Sequence, residues 1–314
     1  MNLLLTGQWD DVERDAWAAA LRLALPAGDR LVLRRGEVDD ATIEVAIVAN
    51  PSAGSLAGLP ALRLIQSLWA GVDRLLGDAS LPTGVPIARM VDPAMNAAMA
   101  ETALWAVLSL HRGFFDYAAQ QQARVWHQAS QWRADEVPVL VLGCGQMGRA
   151  AAQRLVQQGY PVSAWARSAD GPDQPGVARL HGDAALLPAV SASRIVVNLL
   201  PLTAQTRGVL DARLFEALPS GGAIVNLARG AHLVEADLLV ALASGRVDRA
   251  VLDVFAVEPL PGEHPFWRHP RITMLPHVAA QTDLRSASAV VVGNLRALAE
   301  GRPVAHRVLP ERGY

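Results

Sequence analysis

Residues 139–155, VLVLGCGQMGRAAAQRL, leave the chain little choice of local structure. A short apolar run meets a glycine triplet in G-x-G-x-x-G spacing, Gly143, Gly145 and Gly148, and a helix-forming stretch continues to Gly159. The first glycine permits a tight strand-to-helix turn and the second lets a ligand approach the backbone. The third lets the helix pack close against its strand. The helix N-terminus, at Gln146 and Met147, suits a pyrophosphate. Such triplets also occur by chance, but a strand before and a helix after make this one a dinucleotide-binding turn.

About 20 residues past such a turn a dinucleotide fold usually carries an Asp or Glu that holds the adenosine ribose. Here the segment VSAWARSAD, residues 162–170, ends its strand in Ala166, Arg167 and Ser168. An acid at 166 would accept from the ribose hydroxyls and repel a 2′-phosphate. Ala166 removes the repulsion, Arg167 brings a forked cation and Ser168 a hydroxyl donor. The reading is NADPH, preferred over NADH. The competing reading leaves Arg167 in solvent and gives the ribose to Asp170.

At 314 residues the chain has room for two domains, each burying its own core. Strand candidates NLLLTG, RLVLR, EVAIVAN, LRLIQSL and VPIAR precede the glycine turn, with a helix from Asp10 that has Glu13 in capping-box position. One long Ala- and Leu-rich helical run, residues 91–126, then leads into a second series: VPVLVLG, PVSAWA, SRIVVNLL, GAIVNLA, RAVLDVF and RITMLPHV. Strands alternating with helices imply parallel βαβ units, and the continuous Val/Ile runs imply sheets covered on both faces. The expected fold is α/β, two Rossmann-like doubly wound parallel-sheet domains. LRSASAVVVGNLRALAEG reads as a last helix.

The net charge of -2 gives no electrostatic reason to expect nucleic acid or an anionic membrane, and no apolar run is long enough to cross a bilayer. All 28 cationic residues are Arg, which excludes Schiff-base and P-loop lysine chemistry and leaves Arg as the only carboxylate or phosphate ligand of its kind. The single cysteine, Cys144, forms no internal disulfide and no metal cluster, so no metal is expected and a cytoplasmic location is. MNLLLTGQWDDVERD lacks the basic start of a signal peptide.

Three polar residues stand at the ends of successive apolar strands: Arg229 after IVNLA, Glu258 after AVLDVF (which itself carries Asp253), and His277 after ITMLP. Ligands of open parallel sheets bind beyond the carboxyl ends of the strands. Reducing a 2-keto acid needs a cation for the carboxylate, a proton donor for the ketone oxygen and a hydride source. Arg229, His277 and NADPH would supply these. A free imidazole titrates near pH ~6.5, and a carboxylate beside it, here Glu258, favours its protonated form and fixes its orientation. Taken singly, the His reads as structural, the Arg as a surface cation and the Glu as a loop carboxylate. Their joint placement favours the site. The other seven histidines have no comparable setting on sequence grounds.

The motifs VLGCGQMG, NLLPLTAQTRGVL, IVNLARG, LDVFAVEPLP and LPHVAA stand in the order and spacing of the D-isomer-specific 2-hydroxyacid dehydrogenases, and the chain resembles that family over nearly its whole length. The tail RGY and PLPGEHPFWRHPRIT are most similar to its glyoxylate/hydroxypyruvate reductase A branch. The resemblance implies a flavodoxin-like, smaller substrate domain built from both chain ends, 1–98 plus 283–314, and an NAD(P)-binding Rossmann domain, 99–282. It implies Arg229 on the substrate carboxylate and carbonyl, His277 as acid/base and Glu258 as its partner. Asp253 would hold the nicotinamide carboxamide, Leu200, Pro201 and Thr206 would border the adenosine side, and Leu227 is a further cofactor contact. IQSLWAGVDRLL resembles the substrate-carboxylate loop, with backbone amides at Ala70 and Gly71. Trp69 there replaces a small residue of many members; it would narrow the pocket, stack on substrate, or pack between domains. A homodimer through the helical run at 94–110 is the implied assembly, although core burial explains the same apolar pattern. The implied activity is NADPH-dependent reduction of small 2-keto acids such as glyoxylate and hydroxypyruvate. Bulkier keto acids, the oxidative direction, and a non-catalytic dinucleotide-sensing module remain alternatives.

Overall fold

A computed structural model describes residues 1–309 and 313, so Arg312 and Tyr314 of the RGY tail lie outside the described residues. Along the chain run β1 (Asn2–Gly7), α1 (Asp11–Ala24), β2 (Arg30–Val32), β3 (Ile43–Ala49), β4 (Leu64–Ser67), α2 (Asp73–Leu76) and β5 (Ile87–Ala88). Two helices follow, α3 (Pro93–His111) and α4 (Phe114–Ala123). The second series is β6 (Val139–Leu142), α5 (Gln146–Gln157), β7 (Val162–Ala166), β8 (Val177–His181), α6 (Asp183–Ser191) and β9 (Ile195–Asn198). It continues through α7 (Ala212–Ala217), β10 (Gly222–Asn226), α8 (Glu235–Ala243), β11 (Val247–Leu252) and β12 (Ile272–Met274) to α9 (Leu284–Ala299). These elements form two compact units, Met1–Met95 with Thr282–Tyr314, and Asn96–Gln281.

In the first unit five parallel strands stand in the order β2-β1-β3-β4-β5, the flavodoxin-like arrangement. Asp10 caps α1 by accepting from the Glu13 amide at 2.8 Å, and the helix buries Trp17, Ala18 and Leu21. The C-terminal α9, capped by Asp283 on the Arg285 and Ser286 amides, packs beside α1. Buried Asn294 of α9 donates to Gln66 of β4 at 2.7 Å, a bond across 228 residues of sequence that ties the last helix into the first sheet.

The second unit has seven parallel strands in the order β12-β11-β10-β9-β6-β7-β8. Numbered within the unit this is the 3-2-1-4-5-6 Rossmann order with one strand added at the far edge, and the crevice lies where β6 meets β9. Its central strands β6, β9 and β10 are buried along their whole length between two apolar clusters, as the continuous apolar runs require.

Two features differ from the sequence expectation. The helical run of residues 91–126 is two helices, because Gly113 adopts φ 67 and turns the chain between α3 and α4. The edge strand β8 has no apolar run to mark it: every residue of VARLH keeps some exposure. Among the described residues no helix is long and apolar enough to cross a membrane.

Candidate active site

The glycine turn has the shape a pyrophosphate needs. Gly143 has φ +107, and a Cβ there would stand 2.6 Å from the Leu199 carbonyl oxygen, so β6 can turn only through glycine. A Cβ on Gly148 would lie 1.9 Å from the Gly143 carbonyl oxygen, which fixes how closely α5 meets its strand. Gly145 instead faces open space, with nothing within 4 Å of such a Cβ. Gly145 and Gln146 are exposed at the start of α5, a helix of 12 residues, while Met147 is partly buried against the core. The residues present thus fit a dinucleotide: an open backbone cradle at a helix N-terminus.

Beyond β7, Arg167 is half-buried and Ser168 and Asp170 are exposed. The loop they begin is gathered by Arg179 of β8, whose guanidinium donates to the Ala169 carbonyl at 2.6 Å and to the carbonyls of Asp170 and Gly171. Burial pushes the Cys144 thiol up, against the opposite pull of Arg179 and Arg149. Leu200 and Leu227 are buried core residues, so what they offer a cofactor is backbone. Buried Thr206 holds the same crossing: its hydroxyl donates to the Pro201 carbonyl at 2.7 Å and accepts from the Thr203 amide at 2.8 Å.

The catalytic candidates stand beyond the carboxyl ends of three adjacent strands, Arg229 after β10, Glu258 after β11 and His277 after β12. His277 Nδ1 lies 2.8 Å from Glu258 Oε2, and Glu258 Oε1 accepts from the Phe255 amide at 2.9 Å. The pair stays open to solvent, with side-chain exposures of 51% and 35%. His277 has φ 55, a conformation a non-glycine residue holds only when its surroundings impose it. Asp253 imposes it. Its carbonyl accepts from the His277 amide at 2.8 Å, and its carboxylate accepts from the Val278 and Ala279 amides at 2.7 and 3.1 Å. Burial raises the Asp253 carboxyl above the usual carboxylate range, although the two amides pull the other way. Arg229 is half-buried, and its Nη1 donates to the Ala228 carbonyl at 2.7 Å.

In the first unit, Ser67 Oγ and the Trp69 backbone lock the loop that leads to Ala70 and Gly71, through bonds of 3.0 Å to both the amide and the carbonyl. The Trp69 indole is half-buried and meets Trp17 edge-on, ring centres 6.2 Å apart.

The expectation that the other histidines lack a comparable setting is corrected. His264 Nε2 lies 3.1 Å from Glu235 Oε2, a second imidazole–carboxylate pair, and buried His232 bonds to Asn198 at 3.0 Å. Four contributors to the site's architecture also escaped the sequence reading: Asn198, Asn226, Gly230 and Arg179. For the asparagines a signal existed, since IVVNLL and AIVNLA each place an amide at the end of a buried strand, where it must find partners. For Gly230 it did not, because Phe255 and Ala256 lie far along the chain, and for Arg179 it did not, because its partners are main-chain carbonyls that no residue type marks. Among the described residues no group of His, Cys, Asp and Glu could hold a metal ion.

Residues 104–279 match the family model described as D-isomer specific 2-hydroxyacid dehydrogenase, NAD binding domain. The chain is 38% identical over 307 residues to a glyoxylate/hydroxypyruvate reductase A of Yersinia enterocolitica, covering 96% of this chain and 97% of that one. It is similar to a crystal structure of a D-isomer specific 2-hydroxyacid dehydrogenase from Xanthobacter autotrophicus in complex with NADPH and MES (TM-score 0.94, 37% identity, 100% and 99% of the two chains). It is also similar to an NADPH-dependent glyoxylate/hydroxypyruvate reductase from Sinorhizobium meliloti in complex with NADP and sulfate (TM-score 0.91, 32% identity, 100% and 99% covered).

Proposed function

The chain belongs to the D-isomer specific 2-hydroxyacid dehydrogenase family, and from that premise we propose that it reduces small 2-keto acids, such as glyoxylate and hydroxypyruvate, to 2-hydroxy acids with NADPH as preferred donor. The observation that carries this reading is the His277–Glu258 pair at 2.8 Å, which follows the strands next to β10, the strand that Arg229 follows. NADPH, when bound at the glycine turn, supplies the hydride. Arg229 binds the substrate carboxylate, its planar fork matching two oxygens. Glu258 accepts from His277 Nδ1–H, which leaves Nε2 as the proton donor to the ketone oxygen. The carbonyl carbon gains the hydride and its oxygen the proton, so the aldehyde of glyoxylate or the ketone of hydroxypyruvate becomes an alcohol. The exposed imidazole then takes a proton back from solvent.

Around this centre we assign the seven-stranded unit to the cofactor, with Arg167 and Ser168 on the 2′-phosphate. The five-stranded unit takes the substrate-binding role, with backbone amides at Ala70 and Gly71 on the carboxylate and Trp69 limiting substrate size. Asp253 serves by fixing the His277 backbone, a role its bonds to the Val278 and Ala279 amides support, as well as facing the carboxamide. The assembly is a homodimer through α3 and α4, supported by the exposed Trp105 and Phe114 on those helices. The single free Cys144 fits a reducing cytoplasm.

A panel of 2-keto acids assayed separately with NADPH and NADH tests the reading. Turnover of glyoxylate and hydroxypyruvate, faster with NADPH, is the expected result. No turnover with any keto acid would make the chain a binding module, and a preference for bulky acids would overturn the substrate class.

A further inference from the structure

Asn198 closes β9, Asn226 closes β10 directly opposite it in parallel register, and His232 ends the short 3-10 turn Gly230–His232. All three side chains are wholly buried. Their hydrogen positions follow from backbone partners that leave no choice. The Leu200 amide donates to Asn198 Oδ1 at 3.3 Å, so Asn198 Nδ2 is the donor end. That NH2 donates to Asn226 Oδ1 and to His232 Nδ1, both at 3.0 Å. The Ala228 amide also donates to Asn226 Oδ1, at 3.3 Å, and Asn226 Nδ2 donates to the Arg229 carbonyl at 3.0 Å. With Nδ1 accepting, Nε2 carries the proton and donates to the Pro201 carbonyl at 3.3 Å. The ring is therefore the neutral Nε2–H tautomer.

We propose that His232 is a positioning residue: through Asn198 and Asn226 it joins the backbone of Arg229 to the Pro201 loop on the adenosine side, so that one polar unit sets both the substrate cation and the cofactor loop. The inference rests on Arg229 being the carboxylate ligand. A core of this kind could have been filled by apolar side chains. A network in which each member has its partners costs little in stability and fixes geometry instead. Its two outer ends, the carbonyls of Arg229 and Pro201, are those of residues that face the two ligands.

His232→Leu and His232→Gln, with Arg229→Ala alongside, test the proposal through KM for glyoxylate, KM for NADPH, kcat and melting temperature. Leucine leaves the Asn198 NH2 one acceptor short and removes one of two donors to the Pro201 carbonyl, which keeps the Thr206 hydroxyl, and both KM values should rise about tenfold. Glutamine can accept from Asn198 and donate to Pro201, and should stay within about threefold of the parent. A residue that only holds the core together would lower kcat, through the active fraction, and the melting temperature, while both KM values stayed fixed. Parental KM values in the Leu variant, or a Gln variant no better than Leu, overturn the proposal. The underlying reading fails separately, if Arg229→Ala keeps its kcat/KM. Should the Leu variant not fold, the nitrogen-15 spectrum of the intact enzyme decides. The Nε2–H tautomer at His232 is expected, and Nδ1–H or an imidazolium there at neutral pH overturns the proposal.

Discussion

Replacing Gly230 by alanine should part the loop that carries Glu258 from Arg229 without touching either side chain. Gly230 follows Arg229, and a Cβ built on it lies 1.9 Å from the carbonyl carbon of Phe255, 2.1 Å from its oxygen and 2.4 Å from the Ala256 nitrogen. Ordinary contact begins at 3.4 Å, so the backbones must part by about 1.5 Å. No flexible side chain can absorb that shift, because all three obstructing atoms are main chain. The Phe255 amide is also the donor that holds Glu258 Oε1, so the displacement passes to the His277 partner. Overpacking of this kind costs about 1–3 kcal/mol of stability. A misplacement on the order of 1 Å between reacting groups costs about 100-fold in rate. Gly230→Ala should therefore lose about two orders of magnitude in kcat/KM for glyoxylate. An Ala variant that melts normally and keeps kcat/KM within about threefold would refute the reasoning.

Gly145 makes the opposite case, since an added methyl meets no protein atom. Gly145→Ala should melt as the parent does yet bind NADPH and NADH more weakly, and parental affinity would remove the turn from the cofactor site. Arg167→Ala should weaken NADPH by roughly ten- to a hundredfold, the loss of one charge-assisted contact, and leave NADH nearly unaffected. Equal losses would take Arg167 off the 2′-phosphate. Asp253 supplies a pH dependence. Burial raises its carboxyl in the folded protein, so its stabilising contribution is full below the unfolded value of ~3.9 and is lost as pH rises through the higher folded value. Asp253→Asn lacks that titration, so the difference in melting temperature, variant minus parent, should move in the variant's favour as pH rises through the weakly acidic range. A constant difference would contradict the assignment.

What the sequence made legible was whatever depends on local pattern. The glycine spacing identified the turn at Gly143–Gly148, and the apolar runs identified every strand but β8, whose edge position leaves it without one. Arg229, Glu258 and His277 could be named because each follows its strand by a few residues, and adjacency of β10, β11 and β12 does the rest. The break between α3 and α4 was missed because a lone glycine in an Ala-rich run is read as tolerated, whereas Gly113 takes a left-handed turn. The support behind the site was out of reach for a different reason. Asp253 bonds to amides 25 and 26 residues away, His232 bonds to Asn198 34 residues away, and Gly230 lies against Phe255 and Ala256. Such pairings are set by which strands lie side by side, and no periodicity announces them.

A crystal structure of the protein with NADP and oxalate, an unreactive stand-in for the planar keto acid, would test the account most directly. One carboxylate should lie on the Arg229 guanidinium, with an oxygen of the other within hydrogen-bond distance of His277 Nε2 and the nicotinamide alongside. An oxalate bound away from both side chains, or touching one while the other points elsewhere, would contradict it.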